Sequence, residues 1–228
     1  MLSSKELSYE QEVCNILKET KIHQRLEEVK ERTKVTGREH GFNVCSDGRV
    51  TKVIEGSYTY SDLTEANNEC NYKIDIQVHS HPDYYAYPSR GDLMEDLNIS
   101  TRIASCVYGV KDDKVTCYRT SDELRNKFIP LIDKYINELN EIHRKYDNTT
   151  DQEEKNKLYE EWFQKYDKYE DLLSDITKEI VSCAYPELKE RSISHPYKYI
   201  TDSYDIAIEK EKRFGNFGDV WVKDCGKI

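Results

Sequence analysis

The sequence predicts an α+β fold, a mixed β-sheet flanked by helices with an antiparallel helical hairpin appended. Three observations carry this. Apolar residues recur at helical spacing near the N-terminus, the middle third switches to short runs separated by turn residues, and from Ser121 the helical period returns over two long segments. A chain of 228 residues has room for one substantial domain with an appendage. The expected division is 1–120 for the α+β domain, 121–182 for the hairpin, and 183–228 for a C-terminal segment that packs back on the first unit.

The first helix is expected from Ser8 to about Lys34. Ser8 and Gln11 have capping-box spacing, and Val13, Ile16, Leu17, Ile22, Leu26 and Val29 make one face, with a break near Thr20 and Gly37 as the stop. Gly41–Cys45 and Arg49–Glu55 flank Ser46-Asp47-Gly48, which is hairpin chemistry, and Tyr58–Tyr60 is expected to extend the sheet. Lys73–His81 alternates strictly, with Ile74, Ile76, Val78 and Ser80 on one face and Asp75, Gln77, His79 and His81 on the other. A short helix follows Ser89 to about Ile99, and Ile103–Val110 and Lys114–Arg119 form a second hairpin. Leu124, Phe128, Leu131, Tyr135, Leu139, Ile142 and Tyr146 then step by three and four, with Pro130 expected to kink the helix. After a break at Asp147–Thr150, Thr150 and Glu153 suggest a second capping box. Leu158, Trp162, Tyr166, Tyr169, Leu173, Ile176 and Ile180 repeat the spacing to complete the hairpin. Asp219–Val222 reads as a last strand.

Composition narrows the function. Lys and Arg number 34 against 44 Asp and Glu, a formal charge of −10, so the footprint of a nucleic-acid binder is missing and no nucleic-acid partner is expected. Met1–Glu10 is too polar for a signal peptide, and Ile103–Val110 is too short to span a bilayer. The expectation is a cytoplasmic protein with no membrane partner. Seven Cys, an odd number without a CxxC pair, read as reduced thiols, several of them buried, rather than a disulfide framework or zinc ribbon.

The chemistry concentrates in one stretch. His79 and His81 share a strand face, about 6–7 Å apart at the backbone, so both imidazoles can converge on one metal ion while the opposite face packs on the core. Asp92, in the first turn of the next helix, is a hard third ligand. Two His, one carboxylate and a water make a catalytic zinc site with an open position. Ser89, three residues before Asp92, falls at the expected N-cap, and taken alone Ser89 and Asp92 would be only a capping box. Tyr84, Tyr85 and Tyr87 lie between the ligands and are expected to wall a substrate cleft. His40 follows Glu39 and is expected on the far side of its strand. His23, His143 and His195 have no partner at ligand spacing.

His79-Ser80-His81, seven residues, then Ser89-Arg90-Gly91-Asp92 resembles the JAMM motif of the JAB/MPN-type metalloproteases, over about residues 35–120. The family's upstream acid corresponds to Glu39 in Arg38-Glu39-His40-Gly41-Phe42, with one Gly where the family more often has Cys-Gly or Gly-Gly; Glu55 is the fallback. The resemblance implies a JAB/MPN-like metalloprotease domain and isopeptidase or peptidase chemistry. One Zn2+ with a bound water would be held by His79, His81 and Asp92. Glu39 would act as general base and acid, and Ser89 would donate to the developing oxyanion. It implies as substrate a ubiquitin-like or sulfur-carrier-type protein cut at its C-terminus. The alternative is a non-catalytic interaction module of the same fold. The hairpin has two readings, packing on its own domain or docking a partner, a substrate or a second copy.

Overall fold

The computed structural model describes residues 12–99, 101, 103–184 and 220–228. It is an α+β protein built on a six-stranded mixed sheet. Residues 12–16 are helical, 17–19 break the helix, and α1 runs Thr20–Thr36, stopped by Gly37 at φ 67°. The strands are β1 (His40–Cys45), β2 (Ile54–Glu55), β3 (Ile74–His81), β4 (Ala104–Gly109), β5 (Lys114–Thr120) and β6 (Val220–Gly226). Between them lie α2 (Thr64–Glu69), α3 (Arg90–Ile99), α4 (Asp122–Asn148) and α5 (Gln152–Ala184). The spatial order is β2-β1-β3-β4-β5-β6, antiparallel except for the parallel β3–β4 pair, whose crossover carries α3. The C-terminal strand therefore completes the sheet beside β5.

Alternation along the strands divides the interior into two layers. Ile22, Leu26 and Val29 of α1 pack on Phe42, Val44, Ile76, Val78, Cys106 and Tyr108. On the other face, Val107 and Tyr118 meet Leu93 and Leu97 of α3, Leu124, Phe128 and Ile132 of α4, and Ile176 of α5. Each such side chain contributes roughly 1.5–3 kcal/mol of burial. The base of the helical hairpin thus packs on its own domain, and α4 and α5 close on each other through Leu139, Ile142 and Leu158. The second face is the one to which alternation assigns His79 and His81.

A buried ionic cluster ties this face together. Asp96 of α3 is 1% exposed. Its carboxylate accepts from Thr101 Oγ1 (3.1 Å), Ser105 Oγ (2.7 Å), Thr120 N (2.6 Å), Thr120 Oγ1 (2.8 Å) and Arg125 Nη2 (3.2 Å). Four elements or connections are thereby fixed to the helix that carries Asp92.

Three expectations are corrected. Tyr58–Tyr60 is a turn, closed by Ser57 N donating to Tyr60 O (2.7 Å), and leads into α2. Its β-prone residues have no neighbouring strand to pair with among the described residues, and β-propensity yields to context. The cap of α5 is Asp151, not Thr150: Asp151 Oδ1 accepts from Glu153 N (2.8 Å) and Glu154 N (3.2 Å). The six cysteines other than Cys183 are not free thiols. They form Cys14–Cys225, Cys45–Cys70 and Cys106–Cys117, with Cα separations of 5.3, 5.0 and 4.0 Å. The chain folds partners 211, 25 and 11 residues apart into contact, which an odd count and uneven spacing conceal. Pro130 lies inside a continuous α4. The Ser8–Gln11 cap falls outside the described residues.

Candidate metal centre and cleft

β3 delivers His79 and His81 side by side, 6% and 5% exposed. Their Nε2 atoms are 3.3 Å apart. Asp92 Oδ1 lies 3.1 Å from His79 Nε2, and Asp92 Oδ2 lies 3.2 Å from His81 Nε2. Two tetrahedral donors, each about 2.0–2.1 Å from a zinc ion, are held about 3.3 Å apart. The ring-to-ring and ring-to-carboxylate spacings match that requirement, and the three residues are the one such group among the described residues. Two imidazoles and one carboxylate suit zinc and leave a position open.

The Ser89–Asp92 capping box is real, and it orients the ligand. Asp92 N donates to Ser89 Oγ (3.2 Å), and Ser89 N donates to the Asp92 carboxylate (2.6 Å). One carboxylate oxygen is thereby anchored at the helix start while the group as a whole faces both rings. Ser89 Oγ accepts the helix N–H and keeps its own hydrogen for another acceptor.

The loop from β3 to α3 is pinned from below. Gly109 of β4 is paired with His81. A Cβ there would stand 2.1 Å from Ala86 N and 2.3 Å from Tyr85 C. Asp112 Oδ1 accepts from Ala86 N (3.1 Å), and Val110 N donates to His81 O (3.1 Å). Close backbone approach at a glycine thus sets the path that delivers Ser89 and Asp92.

Glu39 immediately precedes β1, where Gly41 is paired with His79. Continuing that antiparallel register puts Glu39 opposite His81, on the same face as the rings. Its backbone is held by Ser57 O (2.8 Å from Glu39 N) and Gly56 N (2.7 Å from Glu39 O). Glu39 is 8% exposed, and burial raises its pKa against the pull of the His79 and His81 charges. Glu55, the fallback, instead pairs with Arg38 (3.2 Å) and lies 3.5 Å from His40 Nε2. His40 is fully buried away from the rings, its Nδ1 at 3.0 Å from Arg38 O.

The ligands polarise one another. Burial works against a proton on His79, yet the Asp92 charge and hydrogen bond, helped by Glu39, lift its pKa to about 9. Burial would raise Asp92, but the charges of His79 and His81 outweigh it and hold the carboxyl well below the usual carboxylate range.

A cleft of about 370 Å³ opens over these groups. It is lined by Glu39, His79, His81, Ser89 and Asp92, and also by residues the sequence reading passed over, Tyr60, Ser61, Leu63, Met94, Glu95 and Asn98 among them. Tyr84 packs edge-on against His81, ring centres 6.4 Å apart. None of the three expected wall residues, Tyr84, Tyr85 and Tyr87, is in the cleft lining: Lys111 Nζ stands 4.8 Å from the Tyr85 ring, and Tyr87 is buried. The helical spacing of Asp92 and Glu95, three residues apart, was the available signal for Glu95. Comparison with family models and with curated proteins gives no match, so the site stands on its own geometry.

Proposed function

We propose that the chain is a zinc-dependent isopeptidase or peptidase of the JAB/MPN type, hydrolysing an amide bond at the C-terminus of a ubiquitin-like or sulfur-carrier-type protein. The observation that carries this is the convergence of His79, His81 and Asp92 at donor spacings of 3.1–3.3 Å, with buried Glu39 on the same face. Zinc held there by His79, His81 and Asp92 would supply Lewis-acid polarisation of the scissile carbonyl and lower the pKa of the attacking water. The chain's own residues do the rest. Glu39, its pKa raised by burial, takes a proton from the attacking water and passes it to the leaving amine. The Ser89 hydroxyl donates to the developing oxyanion, worth about 3 kcal/mol. Asp92 and the neutral imidazoles hold the electrophile in place, fixed by the capping box and β3.

The second reading is a non-catalytic module that docks a partner through the hairpin. Exposed Tyr159 and Phe163 on α5, ring centres 6.5 Å apart, favour it. A filled ligand set with an acid beside it favours the enzyme. Three disulfides support an oxidising compartment over the cytoplasm expected from composition. No helix among the described residues is long and apolar enough to cross a membrane.

The test has two parts. Metal analysis of the purified chain should find one zinc, lost in His79→Ala. Isopeptide-linked ubiquitin-like conjugates should be cleaved by the zinc-loaded chain and not by Glu39→Ala. Zinc without cleavage of any amide selects the module.

A further inference from the structure

Glu95 is left over by the chemistry above. It follows Asp92 by one helical turn on α3 and lines the same cleft. It does not belong to the ligand triad, and among the described residues no hydrogen bond or ion pair holds it. A half-buried carboxylate held by no hydrogen bond costs free energy, which the charge of His79 offsets in part. The wall offsets it little: no Lys or Arg is among the described lining residues, the charge of His79 is already engaged by Asp92, and Glu39 and Asp92 add two further acids. Asp92 is engaged by both rings and Glu39 lies over them, so Glu95 is the acid still available to something that enters. Tyr60 lines the same cleft and is 59% exposed. An aromatic face with a carboxylate beside it is a receptor for an organic cation.

We propose that Glu95 and Tyr60 form a subsite for a basic side chain, a lysine or arginine of the substrate next to the scissile bond. This rests on reading the cleft as a peptidase site. The carboxylate supplies the charge and Tyr60 the ring face. Asn98, one turn beyond Glu95, adds an amide oxygen that can accept from the same ammonium or guanidinium. The substrate class narrows to sequences with a positive charge beside the amide that is cut, and acidic neighbours are repelled by Glu39 and Glu95 together.

The test is equilibrium binding, so it is decided whether or not any amide is cleaved. Dye-labelled Gly-Gly-Lys-Gly-Gly, its norleucine counterpart and its glutamate counterpart are titrated with the zinc-loaded Glu39→Gln chain and followed by fluorescence anisotropy. The lysine peptide should bind about tenfold more tightly than norleucine, with glutamate weakest. Adding Glu95→Gln should remove most of that preference while zinc content stays unchanged and the urea midpoint does not fall. Tyr60→Leu should reduce it about threefold. Equal affinity for lysine and norleucine, no binding of the lysine peptide at millimolar concentration, or a preference that survives Glu95→Gln would overturn the subsite. Absence of hydrolysis of any amide by the zinc-loaded wild-type chain, with the charge preference intact, would remove the enzyme reading and keep the subsite.

Discussion

The metal-free protein should lose stability as the pH rises from 6.5 to 9.5, and His79 is the reason. Burial disfavours its charged form, but Asp92 at 3.1 Å overcomes this and lifts the pKa from 6.5 to about 9. Below pH 6.5 the ring is protonated in both the folded and unfolded chains, and the full contribution of the ion pair is present. Between 6.5 and about 9 the folded ring keeps a proton that the unfolded ring has lost, so stability falls with pH. Above about 9 the contribution is gone. The difference amounts to about 3 kcal/mol. Asp92 draws on the same interaction, so its own depressed pKa is not added; that part is lost only in strong acid. Urea unfolding in EDTA at pH 6.5 and 9.5 measures the effect, with His79→Gln as the reference that removes the titrating ring. The wild-type chain should lose about 3 kcal/mol and His79→Gln about 1 kcal/mol or less. A metal-free wild type as stable at pH 9.5 as at 6.5 would refute the reasoning.

Zinc added at pH 7.5 should expel about one proton, that of His79, read by calorimetry in buffers of different ionisation heat; no proton release would contradict the ligand assignment. Asp96→Ala should destabilise by about 3–5 kcal/mol in urea because Arg125 is left buried and unpaired, and a loss below about 1 kcal/mol would show the cluster to be dispensable. Gly109→Ala should lower zinc affinity at a distance, since its Cβ displaces the loop backbone at Ala86; unchanged zinc affinity in a folded variant would argue against that coupling. Ser89→Ala should cost about 1 kcal/mol of stability through the lost cap and slow hydrolysis by about 100-fold; an equal loss of zinc would reassign Ser89 to positioning Asp92 alone.

The sequence was legible where local periodicity and chemistry coincide. Alternation over Ile74–His81 assigned a sheet face to each histidine, and the Ser89–Asp92 spacing gave a helix start, because both depend on neighbours a few residues away. What depends on distant contact was not legible. The three cysteine pairs exist only once β1 meets α2, β4 meets β5, and the first helical residues meet β6. The Tyr58–Tyr60 turn needed knowledge that no strand lies beside it, and Tyr60 then became a cleft wall rather than a sheet extension. Asp96 and Arg125 carry no motif at all; their roles appear when α3 and α4 are laid on one sheet face.

On the proposed reading, a proton and a metal ion compete for the same geometry. Without metal, two rings and a carboxylate are held 3.1–3.3 Å apart by a proton on His79 and the negative charge of Asp92. A divalent ion replaces that proton without requiring the donors to move far, because β3 fixes the rings and the capping box fixes the carboxylate. Rigidity of this kind exchanges one electrostatic partner for another. It would lower the reorganisation needed for metal entry, and the raised His79 pKa would let protons compete with the metal below about pH 9, more strongly as the pH falls. On the proposed reading, Glu39 and Glu95 lie beside the ligands, and their charges add to the pull that keeps a proton on His79 until a cation takes its place.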